Sequence, residues 1–139
     1  MPPLPPAAAA MLAVDTNVLV RCLVDDPSAP EQCAAARRLV GEAEAVYLPQ
    51  VVQVETVWVL AQAYGLSKAA LKQTLTAVAQ HPAYRLQSLE VFTAALELFS
   101  NGKADFVDCI ILAESRAADC ELVTFDRKLG KIEGAKWVA

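Results

Sequence analysis

Two short apolar runs far apart in the chain, Met11–Val14 (MLAV) and Glu121–Phe125 (ELVTF), each lead straight into an aspartate, Asp15 and Asp126. Their apolar residues are nearly continuous rather than alternating, the pattern of strands covered on both faces. Ala45–Leu48 (AVYL) and Arg85–Leu89 read as two more strands, and Lys136–Val138 as a fifth. Longer helical segments separate them. Strands joined through helices pair in parallel, because the connection must cross back over the sheet. The expected fold is therefore α/β, with a mostly parallel sheet of four to five strands between helical layers. Ligands of such sheets bind outside the carboxyl ends of the strands, which is where Asp15 and Asp126 fall.

The helices carry their own punctuation. Asp26-Pro27-Ser28-Ala29-Pro30-Glu31 contains early prolines and a capping box from Ser28 to Glu31, and predicts a helix to about Val40 that stops at Gly41. Pro49 opens the next. Residues 50–64 are crowded with valine, a mediocre helix former, yet too long for one strand. Val51, Val54, Trp58 and Ala61 fall on one helical stripe and are the expected buried face. Gly65 ends that helix, and Ser67 caps another reaching about Gln80. Val91–Ser100, stopped by Asn101-Gly102, and Ala104–Ala118 complete the set.

A chain of 139 residues with 55% hydrophobic and 20% charged residues is one domain with a real core, not a disordered tail. No apolar run has the length of a membrane-spanning helix, so a soluble, cytoplasmic protein is expected. Residues 1–10 (MPPLPPAAAA) lack the basic start and apolar stretch of a secretory signal and read as a tail or misplaced start, leaving 11–139 as the domain. Cys22, Cys33, Cys109 and Cys120 show no zinc-site spacing and read as reduced core thiols. The single histidine, His81, precedes Pro82 in a turn, which excludes chemistry needing paired histidines. A net charge of −4 argues against nucleic-acid binding through a broad basic face. It leaves room for a cleft that concentrates acids around a cation.

Five acids stand out from the rest. Asp15 lies in AVDTNVLV, Glu55 in VQVETVWVL, Asp105 and Asp108 in ADFVDCIIL, and Asp126 in LVTFDRKL. Each interrupts a run that looks buried, where an ionised carboxylate costs several kcal/mol, on the order of the desolvation of one charge, unless compensated. Glu55, Asp105 and Asp108 have no basic residue three or four positions away to pair with. Gathered carboxylates repel one another, and a divalent cation removes that penalty. Oxygen donors alone select a hard ion, Mg2+ or Mn2+, which suits phosphodiester hydrolysis through activated water without a side-chain nucleophile. Ordinary roles compete: Asp15 and Asp105 as helix caps, Glu55 in a distant ion pair, Asp126 as a turn residue. Asp108, inside its helix, has no capping alternative.

In their order along the chain, DTNVLVR, VETVWVL, DFVDCIILA and LVTFDRKL resemble the PIN-domain pattern, from Met11 to about Val138, and look most like the VapC toxins of VapBC modules. The resemblance implies a Rossmann-like three-layer sandwich and a Mg2+-dependent endoribonuclease, the toxin of a type II toxin–antitoxin pair. It implies Asp15, Glu55, Asp108 and Asp126 as the metal-binding quartet, with Asp105 as an accessory acid. Asn17 would orient Asp15, and Thr124 would do the same near Asp126. It further implies a homodimer and a VapB-type antitoxin whose helix fills an apolar groove. The Pro/Ala-rich front end has no counterpart in the pattern.

Arg21, Lys103, Arg116 and Arg127 lie near these acids and are candidate phosphate contacts. Arg37, Arg38, Lys68 and Lys72 are expected on helix surfaces, and Trp58 and Phe106 in the core. The competing functions are an RNA-processing nuclease of the same family without an antitoxin, a catalytically silent binding module, and a receiver-like signalling domain. The last needs an acidic pair after the first strand and a lysine ending a late one, and the sequence offers neither there.

Overall fold

The computed structural model describes residues 11–139, so the expectation for residues 1–10 lies outside the described residues. The chain forms two compact units, one ending at Gln87 and the other spanning Ser88–Ala139.

The first unit runs β1 (Met11–Ala13), α1 (Thr16–Leu23), α2 (Pro30–Glu42), β2 (Ala45–Leu48), α3 (Gln50–Gln62), α4 (Lys68–Gln80) and β3 (Tyr84–Leu86). The three strands pair in parallel in the order β1-β2-β3, with Leu12 beside Val46 and Val46 beside Tyr84. Each strand reaches the next through two helices, the crossover that parallel pairing demands. The central strand β2 is the most deeply covered, with Ala45, Val46 and Leu48 buried. Around it pack Leu19 of α1, Val40 of α2, Val52 of α3, Val78 of α4 and Tyr84 of β3. Every helix of the unit thus gives an apolar residue to one core. A buried glutamine ties the strand ends together: Gln53 Nε2 donates to Leu48 O at 3.0 Å and to Gln87 O at 2.9 Å.

The second unit runs α5 (Leu89–Asn101), α6 (Phe106–Ala117), β4 (Leu122–Thr124), a 3-10 turn at Leu129–Lys131 and β5 (Ala135–Trp137). Helices α5 and α6 are held by an aromatic cluster: Phe106 meets Phe92 and Phe99 edge-on, with ring centroids 5.7 and 5.8 Å apart. These are favoured geometries for ring quadrupoles, and Phe106 is buried as the sequence predicts. Strands β4 and β5 are also parallel, Leu122 beside Ala135 and Thr124 beside Trp137.

The fold class is therefore α/β with parallel pairing throughout, the five strands forming one ladder of three and one of two. Several local expectations are corrected. Helix α1 is absent from the sequence reading, because VLV after Asp15 prolongs the strand-like run, and the capping bond at Asp15 overrides that preference. The capping box at Ser28 does not form. Asp26 Oδ1 instead takes both the backbone N–H and the hydroxyl of Ser28, at 2.9 and 2.6 Å. Helix α2 starts at Pro30 without a side-chain cap and passes through Gly41 to Glu42. The buried face of α3 is Val52, Gln53, Thr56, Val57 and Leu60, while Val51 and Trp58 are 63% and 65% exposed. Apolar residues on nearly every side of that helix leave its periodicity without a direction. Cys33 and Cys109 are buried and Cys22 half-buried, but Cys120 is exposed, and no disulfide joins the four. Among the described residues no helix is long and apolar enough to cross a membrane.

Gly130, in the 3-10 turn, has no room for a side chain. A Cβ there would stand 2.5 Å from Trp137 Cβ, 2.8 Å from its nitrogen and 2.9 Å from its Cα. Gly130→Ala must push β5 away from the turn and is expected to cost about 1–3 kcal/mol, the usual penalty of overpacking. A urea melt showing a lower midpoint with an unchanged slope checks this, and an unshifted midpoint contradicts it.

Candidate functional site

In the first unit, Asp15 follows β1 directly and caps α1, its Oδ1 accepting the Val18 N–H at 3.0 Å. The cap comes from the residue type and position: a short acid in extended backbone satisfies a helix N–H that has no partner of its own. Glu55 sits midway along α3 on its exposed side. Thr16 Oγ1 donates to Glu55 Oε1 at 3.2 Å, bridging the start of α1 to α3 across 39 residues of sequence. Sequence reasoning missed Thr16, whose one available signal is its place beside a strand-end aspartate. The bond at Asp15 comes from Val18 and not from Asn17, which lines a groove of about 280 Å³ together with Asp15, Val18, Arg21, Gln32 and Leu39.

In the second unit, Asp105 is the N-cap of α6 and Asp108 lies in the first turn. Asp105 Oδ1 accepts the Asp108 N–H at 3.1 Å. Asp126 follows β4, and its Oδ1 accepts the N–H groups of Lys128 and Leu129 at 2.8 and 3.0 Å, nucleating the 3-10 turn. Thr124 Oγ1 accepts the Asp126 N–H at 3.0 Å. Burial raises the pKa of Asp108 above the ordinary carboxylate value. The negative charge of Asp105, a hydrogen bond to it, and the charge of Asp126 push it further in the same direction.

Capping and ligation thus stop being alternatives. Asp15, Asp105 and Asp126 each commit Oδ1 to backbone N–H groups, which fixes the carboxylate while leaving Oδ2 as an acceptor. The expectation that all five acids interrupt buried runs needs correction, however. Asp15, Glu55, Asp105 and Asp126 are exposed, and only Asp108 is half-buried. They stand at strand ends, a helix start and the outer side of α3, where apolar neighbours such as Phe125, Val51 and Trp58 are exposed as well.

Two observations bear on a cation. The donors are carboxylate oxygens, a set that suits Mg2+. The two ion pairs among the described residues, Arg21–Asp26 and Arg37–Asp25, involve none of the five acids. Within neither unit do three or more His, Cys, Asp or Glu side chains gather closely enough to hold a metal by themselves. The donor chemistry fits Mg2+, and the crowding of negative charge at Asp108 is what a dication relieves.

The expected phosphate contacts fare differently. Arg21 is engaged: Nη1 donates to Asp26 Oδ2 at 3.3 Å and to Tyr64 Oη, and Nε donates to Gln32 at 3.0 Å. Tyr64 Oη in turn donates to Asp26 at 2.7 Å. This network ties the end of α1 to the following loop and to Tyr64, so Arg21 is a fastener there. Arg116 donates to the carbonyl of Glu133. Arg127 lies over the Trp137 ring, 4.5 Å from its centroid. Lys103 is exposed.

A family model described as PIN domain matches residues 12–135, a span that contains all five acids. None of the curated proteins compared with the chain matches it.

The Asp26 network makes a pH prediction. Hydrogen bonds from Ser28 and Tyr64, with a smaller contribution from Arg21, lower the Asp26 pKa from 3.8 to about 2. A depressed carboxylate pKa adds stability that is fully present above 3.8 and lost as pH falls through about 2. In Tyr64→Phe one of these donors is gone, so Asp26 is expected to titrate closer to 3.8. Carboxyl chemical shifts followed by NMR against pH read this directly, and an identical titration in the two proteins refutes the network.

Proposed function

Because the chain belongs to the PIN-domain family, whose members are generally nucleases, we propose that it is a Mg2+-dependent endoribonuclease, the toxin of a type II toxin–antitoxin pair. The observation that carries the catalytic part is the state of the acids. Asp15, Asp105 and Asp126 are fixed through Oδ1, Glu55 is steadied by Thr16, and no cation pairs with any of them among the described residues. Carboxylates held in place but not neutralised by the protein are poised for a metal.

Asp15, Glu55, Asp108 and Asp126 would hold Mg2+, with Mn2+ as a substitute and Asp105 as an accessory acid. When bound, the ion would lower the pKa of a water and neutralise charge on the phosphodiester. The protein's own part is geometric. Val18, Lys128 and Leu129 lock Asp15 and Asp126 in single orientations, and Thr16 holds one oxygen of Glu55. Asp108, whose pKa is raised by burial and by the charges of Asp105 and Asp126, is an acid whose ionised form a dication would favour.

The toxin role draws support from the groove that runs from Asp15 along α1 and α2. Val18, Ala35, Ala36 and the half-exposed Leu39 give it an apolar lining suited to an antitoxin helix. The homodimer rests on the family resemblance alone, since the exposed Val51 and Trp58 share the outer side of α3 with Glu55. A cytoplasmic site of action completes the reading.

Asp15→Asn tests the mechanism without disturbing the fold, since an amide oxygen still caps α1 through the Val18 N–H. It is expected to lower Mg2+-dependent RNA cleavage by about 100-fold or more while the thermal midpoint stays put, as befits lost electrostatic stabilisation. Cleavage at the native rate by a folded Asp15→Asn protein removes the mechanism.

A further inference from the structure

Phe125 is 81% exposed, the most exposed of the large apolar side chains among the described residues, and it directly precedes Asp126. It does not stand alone. Trp137 of β5, 37% exposed, donates its indole N–H to the Phe125 carbonyl at 3.1 Å. The Arg127 guanidinium lies against the Trp137 ring, 4.5 Å from its centroid. The close approach of Gly130 fixes the Trp137 backbone from behind. An aromatic side chain, a second aromatic and a stacked guanidinium are therefore displayed on a rigid turn whose first residue is one of the five acids.

The charge around this turn runs against that of the molecule. The chain carries a net −4, yet from Asp126 to Lys136 the exposed cations Arg127, Lys128, Lys131 and Lys136 outnumber the two acids, Asp126 and Glu133. Exposed aromatic surface within a local positive field has the chemistry of a single-stranded nucleic-acid subsite: bases stack on the ring and phosphates meet the cations. An apolar protein partner would gain nothing from four surrounding cations.

We infer that Phe125, with Arg127 and Trp137, binds an unpaired nucleotide flanking the phosphodiester that the enzyme cuts, Phe125 stacking on its base. This rests on the nuclease reading above. It assigns to Phe125 a positioning role and predicts that the substrate is single-stranded at that nucleotide, because a paired base has no free face to offer.

The test uses the full chain in an Asp15→Asn background, which keeps the RNA intact, and an eight-nucleotide single-stranded RNA carrying a fluorophore. Adding Phe125→Ala is expected to weaken binding by roughly tenfold in fluorescence anisotropy, the effect of one lost base stack, and Phe125→Trp to restore it. Removing a single base from the RNA should weaken binding by a similar factor at one position only, and no further when Phe125 is already alanine. In otherwise native protein, Phe125→Ala should raise KM more than it lowers kcat. Equal affinity with and without the Phe125 ring overturns the inference. So does an acidic peptide that needs Phe125 for binding while RNA does not, which would make the surface a protein interface. If native protein cuts no RNA but Asp15→Asn still binds it through Phe125, the nuclease reading fails and the subsite stands.

Discussion

Backbone N–H groups at the starts of helices and turns have no partner of their own, and carboxylates supply one at three of the five acids, as Asp26 does for Ser28 in the loop before α2. Val18 N–H binds Asp15, Asp108 N–H binds Asp105, and the N–H groups of Lys128 and Leu129 bind Asp126. Each bond fulfils a structural need that would exist in any helix or turn. Each also pins the carboxylate through one of its oxygens. The helix start contributes further, since its positive end favours a negative charge within the first turn. The orientation of the three carboxylates is thereby set by the same hydrogen bonds that begin α1, α6 and the 3-10 turn. The orientation of each acid is set inside its own unit, by residues no more than three positions away.

Much of this was legible from the residues. Strand-end aspartates announced themselves because MLAV and ELVTF are apolar and too short to be helical, although both strands form without the expected cover: none of their residues is buried, and Met11, Val123 and Phe125 are exposed. Ser67 and Asp105 worked as cap signals because each precedes a segment with unambiguous helical spacing, and both caps form. Ser28 failed because a nearer competitor, Asp26, offers its hydroxyl a stronger acceptor than the helix offers a donor. Helix α1 was hidden by Val18 and Val20, whose branching favours strands, and only the bond from Val18 to Asp15 decides the matter. Trp58 was placed in the core because it shares a helical stripe with Val51, Val54 and Ala61. A helix apolar on all sides carries no record of which side is covered, so Val51 and Trp58 stand outside while Gln53 and Thr56 are buried. Thr16 was invisible for another reason, because its partner Glu55 is 39 residues away.

The burial argument for the acids also changes character. Desolvation was expected to make five carboxylates intolerable without a cation, and it applies in some measure to Asp108 alone. For the exposed four, water already supports the charge. What marks them is fixation without neutralisation: the exposed Asp25 and the half-buried Asp26 do have arginine partners. The comparison within one chain is informative. Where an acid serves only to fasten a loop, as Asp26 does, the protein supplies Arg21, Tyr64 and Ser28 to satisfy both oxygens.

Charge is divided along the chain in a way that its total conceals. An acidic protein that must approach a polyanion faces repulsion over most of its surface, and screening limits that repulsion to about 10 Å at physiological salt. A short basic stretch can then govern approach if it lies within that distance of the place where chemistry occurs. The stretch from Arg127 to Lys136 begins at the residue after Asp126, and the aromatic ring before that acid is the most exposed of the large apolar side chains among the described residues. The exposed ring of Phe125, the carboxylate of Asp126 and the cations Arg127 and Lys128 are thus consecutive in sequence, at the start of the turn that Asp126 nucleates. The bond from Asp126 to Lys128 and Leu129 orients a carboxylate and, by the same act, sets the direction in which the basic segment leaves the strand.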